Sequence, residues 1–138
     1  MTTRLNPYLG FRSEAKDAME FYRSVFGGEL TSMTFAEMHA SEDPAEQDKI
    51  MHSQLLTEGG LTLMAADTPN VMELTPGTNH SVSLSGEDEA ELRGYWDRLS
   101  EGATITEPLR TAPWGDSFGM LVDKFGVPWL VNIAGTPA

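Results

Sequence analysis

Leu5-Asn6-Pro7-Tyr8-Leu9-Gly10-Phe11, followed by an amphipathic segment that closes at Gly28, returns in loose form as Thr78-Asn79-His80-Ser81-Val82-Ser83-Leu84, followed by a second amphipathic segment that closes at Gly102. The chain reads as a βα unit written twice. The later parts correspond as well: Ile50 to Leu55, leading to Gly59-Gly60-Leu61-Thr62-Leu63-Met64, lies over Asp116 to Leu121, leading to Phe125-Gly126-Val127-Pro128-Trp129-Leu130. A half of roughly 65 residues is near the lower limit for an independent core, so two copies that bury their sheet faces against one shared space are physically sensible.

From Glu14 onward, Ala15, Ala18, Met19, Tyr22, Val25 and Phe26 follow helical spacing; Ser13 is placed to cap the start and Gly27-Gly28 to stop it. In the second copy Ser85 and Asp88 give a Ser-x-x-Asp start, Glu87, Asp88 and Glu89 suit the positive helix end, and Leu92, Tyr95, Trp96 and Leu99 form the buried stripe. Short β-rich runs fill the remainder: Asn6 to Phe11, Leu30 to Phe35, Ile50 to Thr57, Leu61 to Ala65, Ser81 to Leu84, Ala103 to Thr106, Ser117 to Val122 and Trp129 to Ile133. Each half reads βαβββ, an α+β arrangement. Module one is expected over 1–68, a linker carrying Pro69 and Pro76 over 69–77, and module two over 78–138, all in a single domain. Ala36 to Asp48 carries five acidic residues and reads as a solvated acidic loop, with a moving lid as the alternative.

The length of 138 residues and 40% hydrophobic content suit one packed, soluble domain. Met1-Thr2-Thr3-Arg4 leads straight into the first strand with no apolar run of signal-peptide or membrane-spanning length, so a cytoplasmic protein without a membrane partner is expected. With no cysteine, disulfides, thiolate metal sites and a Cys nucleophile are excluded. A net charge of −12 repels a phosphate backbone, so nucleic acid is not an expected partner.

Pro7-Tyr8-Leu9-x-Phe11, Ala18-Met19-x-Phe21-Tyr22, Trp114-Gly115-Asp116-x-Phe118-Gly119 and Asp123-Lys124-Phe125-Gly126-Val127-Pro128-Trp129 span nearly the whole chain. With the tandem βαβββ order, they resemble the vicinal oxygen chelate superfamily of glyoxalases, extradiol dioxygenases, fosfomycin-modifying enzymes and bleomycin-binding proteins, and within it the PhnB-like branch. The resemblance implies the glyoxalase/bleomycin resistance fold, in which paired modules form a cupped mixed sheet. It also implies a homodimer and, in catalytic members, a metal held by one residue from the first and fourth strands of each module. Here the first-strand positions fall near Asn6, Pro7 and Tyr8 and near Asn79 and His80, and the fourth-strand positions on Met64 and Leu130. A thioether and an alkane stand where metal enzymes have Glu, Gln or His, and a two-residue shift along each strand brings only Ala66 and Asn132. No metal and no cofactor is therefore expected.

His80 opens an expected strand and is either a locally hydrogen-bonded strand-end histidine or a cavity acid, base or metal ligand. His52 is expected to share a face with Ile50, Gln54 and Leu56 and to point into the cup, or else to be a satisfied core histidine; His39 is expected to be exposed. Trp114 is placed to wall a pocket, and Asp116 to orient a ligand or satisfy loop donors. Trp129 alternates with Val131 and Ile133 and should pack under a helix, leaving Leu130 and Asn132 on the opposite face. The expected function is metal-free binding of a small organic molecule in an apolar cup lined by Tyr8, His52, Met64, His80, Trp114, Asp116, Leu130 and Asn132. The rival is a metal-dependent glyoxalase-like lyase, isomerase or dioxygenase using His80. Methyl transfer lacks a sequence signature, because no glycine-rich donor loop follows the first strand.

Overall fold

A computed structural model of the chain describes residues 3–39 and 41–135. It contains two compact units, Met1–Pro76 and Gly77–Ala138. Among the described residues, the first unit holds β1 (Tyr8–Phe11), α1 (Ala15–Phe26), β2 (Glu29–Thr34), β3 (Ile50–Leu56) and β4 (Thr62–Asp67), with a 3-10 turn at Pro44–Glu46 between β2 and β3. The second holds β5 (Val82–Gly86), α2 (Glu89–Leu99), β6 (Thr104–Thr111), β7 (Ser117–Val122) and β8 (Pro128–Ile133). The strand orders are β1-β4-β3-β2 and β5-β8-β7-β6, so the two mixed sheets repeat one topology.

In each unit the first strand runs parallel to the fourth while the other pairs are antiparallel. A parallel pair needs a long crossover, and the helix with the next two strands provides it. The hairpin turns show the repeat at the level of single bonds. Leu61 N donates to Thr57 Oγ1 at 3.0 Å and Thr57 N to Leu61 O at 3.0 Å. In the second unit Val127 N donates to Asp123 Oδ1 at 3.1 Å and Asp123 N to Val127 O at 2.9 Å. Gly60 (φ 90°) and Gly126 (φ 87°) supply the left-handed residue in these turns. Asp123 does more than Thr57: it also accepts from Phe125 N at 2.8 Å and from Trp129 Nε1 at 2.8 Å, which ties the buried indole to the turn.

The helices bury their apolar stripes as their spacing requires. Ala15, Ala18, Met19, Tyr22 and Val25 are buried on α1 together with Phe21, while Phe26 is only half-buried. On α2, Leu92, Trp96 and Leu99 are buried, but Tyr95 stands half-exposed at the edge of the stripe and donates to Glu91 Oε1 at 2.6 Å. Both expected caps are corrected. α1 has no side-chain cap at its own terminus; instead Asp67, at the end of β4, accepts from Ala15 N at 2.9 Å and from Ile50 N at 2.9 Å. A buried carboxylate on the positive helix end thus joins α1, β3 and β4. α2 is capped by Asp88, which accepts from Glu91 N at 3.0 Å, because Ser85 is already committed to β5.

Two further expectations change. β6 continues through Pro108 to Thr111, which an edge strand tolerates by bulging, and its register shifts on both sides of Glu107. The acidic segment is not merely a solvated loop: Glu46 is buried and accepts from Ser41 Oγ at 2.8 Å and from Asn70 N. Arg12 donates to Pro69 O at 3.0 Å and Met72 O at 2.9 Å, and Lys49 to Asn70 Oδ1 at 2.9 Å. The start of the expected linker is therefore clamped onto the first unit by one acid and two bases.

Replacing Asp67 with Ala leaves two buried backbone donors unpaired, and we expect a loss of about 2–4 kcal/mol in urea unfolding; a loss below about 0.5 kcal/mol would contradict the role assigned to this carboxylate. Burial, and then the hydrogen bond to Glu91, push the Tyr95 phenol up from 10.0 to about 12. Between those values the folded chain holds a proton that the unfolded chain has released, so Tyr95 lowers stability as pH rises across that window. Phenolate absorbance of Tyr95→Phe should lack a late-titrating group present in the parent. Loss of a tyrosine that titrates at the ordinary value would contradict this.

Candidate functional site

Strand alternation decides which side chains are available to a ligand. On β4, Leu63, Ala65 and Asp67 are buried, whereas Thr62, Met64 and Ala66 are half-buried and point to the face turned away from α1. Tyr8 is the register partner of Met64, and Gln54 is its partner on the other side. On β3, His52, Gln54 and Leu56 share this face. Ile50 does not, contrary to the expected alternation: Met33 pairs with His52 and Thr34 with Ile50, so Met51 is an extra residue that reverses the order. Ile50 is buried instead.

This arrangement brings Tyr8, His52 and Met64 together. Tyr8 Oη lies 3.1 Å from His52 Nδ1. Their ring centroids are 5.8 Å apart, with the planes tilted by 35°. Tyr8 is 55% exposed, on the end strand of its sheet's order. At one end of the face, Leu74 reaches over Gly10, its Cδ1 3.6 Å from where a β-carbon would stand. Toward the other end is an open pocket of about 430 Å³ lined by Arg4, Leu5, Asn6, Leu56, Gly60 and Thr62. No motif in the sequence marks this pocket; its one local signal is the shared parity of Leu56, Thr62 and Met64 around the Gly60 turn.

In the second unit, Ser83 is the register partner of Leu130 and Ser85 that of Asn132. Trp129, Val131 and Ile133 are buried, so Leu130 and Asn132 occupy the opposite face as expected. Asn132 Nδ2 donates to Asp116 Oδ2 at 3.2 Å, and Gly135 N donates to Asp116 Oδ1 at 2.8 Å. The Gly135 amide and then the Asn132 amide hold the Asp116 carboxyl below its usual range. Asp116 and Asn132 therefore spend hydrogen-bonding capacity on each other and on the backbone. Trp114, in the turn before them, is 71% exposed.

His80 departs from its expected place. β5 begins at Val82, and His80 is an exposed residue just after the bend at Thr78 and Asn79, its Nδ1 3.2 Å from Asn79 Oδ1. Ser83 stands where the first-strand position of the second unit was expected to hold His80. His39 is exposed, with φ 52°.

The metal of the superfamily's catalytic members is implied at first-strand and fourth-strand positions, which register fills with Tyr8 and Met64 in one unit and Ser83 and Leu130 in the other. A phenol, a thioether, a hydroxyl and an alkane do not fit a divalent cation that takes imidazole and carboxylate donors. Among the described residues, no three His, Asp or Glu side chains converge into a cation site.

Residues 3–132 match the family model described as 3-demethylubiquinone-9 3-methyltransferase. Protein YjdN of Escherichia coli is 29% identical over 94% of this chain and 94% of its own. Protein PA1353 from Pseudomonas aeruginosa is 34% identical, with a TM-score of 0.82 over 96% of this chain and 98% of that one. The PhnB protein from Bacillus cereus is 25% identical, with a TM-score of 0.72 over 96% and 100%. The fold alone is shared with a glyoxylase/bleomycin resistance protein/dioxygenase domain from Frankia, at 17% identity and a TM-score of 0.62 over 99% of each chain. The chain thus belongs to the family of that model, the PhnB-like family, and shares its fold with the glyoxylase/bleomycin resistance protein/dioxygenase domain.

Proposed function

We propose that this chain binds a small organic molecule without a metal at the superfamily's ligand positions. The observation that carries the reading is the strand register: Tyr8 beside Met64 and Ser83 beside Leu130 offer aromatic, thioether, hydroxyl and alkyl surface where a cation would need charge and lone pairs. Half-buried Met64 and Leu130 are soft contacts suited to flexible or planar organic groups. In the first unit Tyr8 and His52 provide orientation; in the second Asn132 and Asp116 do, and exposed Trp114 is a stacking surface. His80, outside β5 and turned to Asn79, has the weakest claim among the expected ligand contacts.

The methyl transfer in the family's description is not part of this reading. The β1–α1 connection is Arg12-Ser13-Glu14, without the glycines that let a backbone approach a nucleotide-like donor. In the same proposal the protein is a homodimer that works in the cytoplasm. The membrane is not a proposed partner, and no helix among the described residues is long and apolar enough to cross one. With −12 net charge, nucleic acid is not a proposed partner either.

A thermal-shift screen of small aromatic and aliphatic compounds, run in EDTA and again with Zn, Ni, Mn or Fe, tests the reading. We expect hits that persist in EDTA; a ligand at a hundred times its Kd adds about 2.7 kcal/mol of stability. Hits that appear only with added metal would overturn the proposal in favour of a metal-dependent lyase, isomerase or dioxygenase.

A further inference from the structure

We propose that the Tyr8–His52 pair is the polar anchor of a subsite for an uncharged aromatic carbonyl compound. The inference rests on the small-molecule reading above and gives it a ligand class. A neutral imidazole carries one ring proton, and the 3.1 Å contact between Tyr8 Oη and His52 Nδ1 determines where it sits. A phenol is a far stronger acid than a neutral imidazole N–H, so Oη donates and Nδ1 accepts. The ring proton is then on Nε2. Nε2 has no hydrogen-bond partner among the described residues, and His52 is half-buried on the face turned away from α1. A fixed N–H donor on that face selects a ligand acceptor.

The surroundings specify the rest. Met33 is the register partner of His52 on β2, and Met64 lies on β4 between Tyr8 and Gln54, opposite Gln54 rather than His52, so two thioethers share the donor's face. Sulfur beside a ring edge and the exposed face of Tyr8 favour an aromatic body. Gln54, half-buried one position along the same face, adds a second polar contact. The chain's charge of −12 works against a carboxylate, which leaves an uncharged carbonyl as the favoured acceptor. Leu74 over Gly10 bounds this surface at one end.

The test uses full-length protein with histidine rings labelled with 15N, and three probes: acetophenone as the uncharged acceptor, benzoate as the charged acceptor and benzylamine as a donor-only cation. Before any probe is added, the His52 signals should report the Nε2–H tautomer, and Tyr8→Phe should shift the ring toward a mixture. Acetophenone should perturb His52 and bind more tightly than benzoate or benzylamine. Its affinity should fall about five- to tenfold in His52→Ala, as expected for one lost hydrogen bond. An Nδ1–H tautomer in the parent, an affinity unchanged in His52→Ala, or tighter binding of benzoate would each overturn the inference. Failure of the two ideas is distinguishable: metal-dependent screening hits defeat the metal-free reading without moving the tautomer, whereas metal-independent hits that leave His52 undisturbed defeat this inference alone.

Discussion

The parallel pairing of the first strand with the fourth in each unit is the constraint from which the chemistry follows. Because side chains alternate and the register is fixed, Tyr8 must share a face with Met64, and Ser83 with Leu130. A one-residue slip would put Asp67 among the exposed residues and strip both Ala15 N and Ile50 N of their acceptor. Asp67 thereby locks the register of the strand that carries Met64. The stability of the first unit and the composition of its open face are set by the same bonds.

The two halves share a topology but not a division of labour. In the hairpin turns, Thr57 and Asp123 accept the equivalent amide, yet only Asp123 also holds an indole. At the ends of the fourth strands the balance reverses: Asp67 organises a helix start, whereas Ile133 packs as a buried apolar residue. The second unit compensates with a local cap, Asp88 on Glu91 N. The polar groups near the open faces differ in a similar way. Asp116 and Asn132 bind each other and Gly135, while the Tyr8–His52 pair leaves one imidazole nitrogen without a partner among the described residues. Both Asp116 oxygens are already engaged, whereas the imidazole keeps a whole nitrogen for a ligand.

The elements themselves were legible because helical stripes and strand alternation are local patterns, and their repetition fixed their order. Met64 and Leu130 could be assigned to equivalent positions from their distance past Gly60 and Gly126 alone. What escaped were interactions across long sequence gaps. Ser13 looked like the cap of α1 because capping is usually local, but the acceptor comes from Asp67 on the far side of the first unit's sequence. Glu46 looked solvated until its bond to Asn70 placed it inside. His80 was assigned to the start of a strand from the alignment of Asn79-His80 with Asn6-Pro7, whereas β5 begins only at Val82. The bulge at Met51 inverted Ile50 and kept His52 on the open face, and no local pattern marks such an insertion. The Tyr8–His52 contact depends on both register and bulge, so it required the structure.

The account's central claim is that these positions carry organic rather than metal chemistry. Its most direct test is elemental mass spectrometry of tag-free protein purified from cells supplied with Zn, Ni, Mn and Fe, with His80→Ala as the control. The account predicts metal far below one ion per chain in both proteins. About one ion per chain in the parent, lost in His80→Ala, would contradict it and show that the cation draws on ligands outside the register positions.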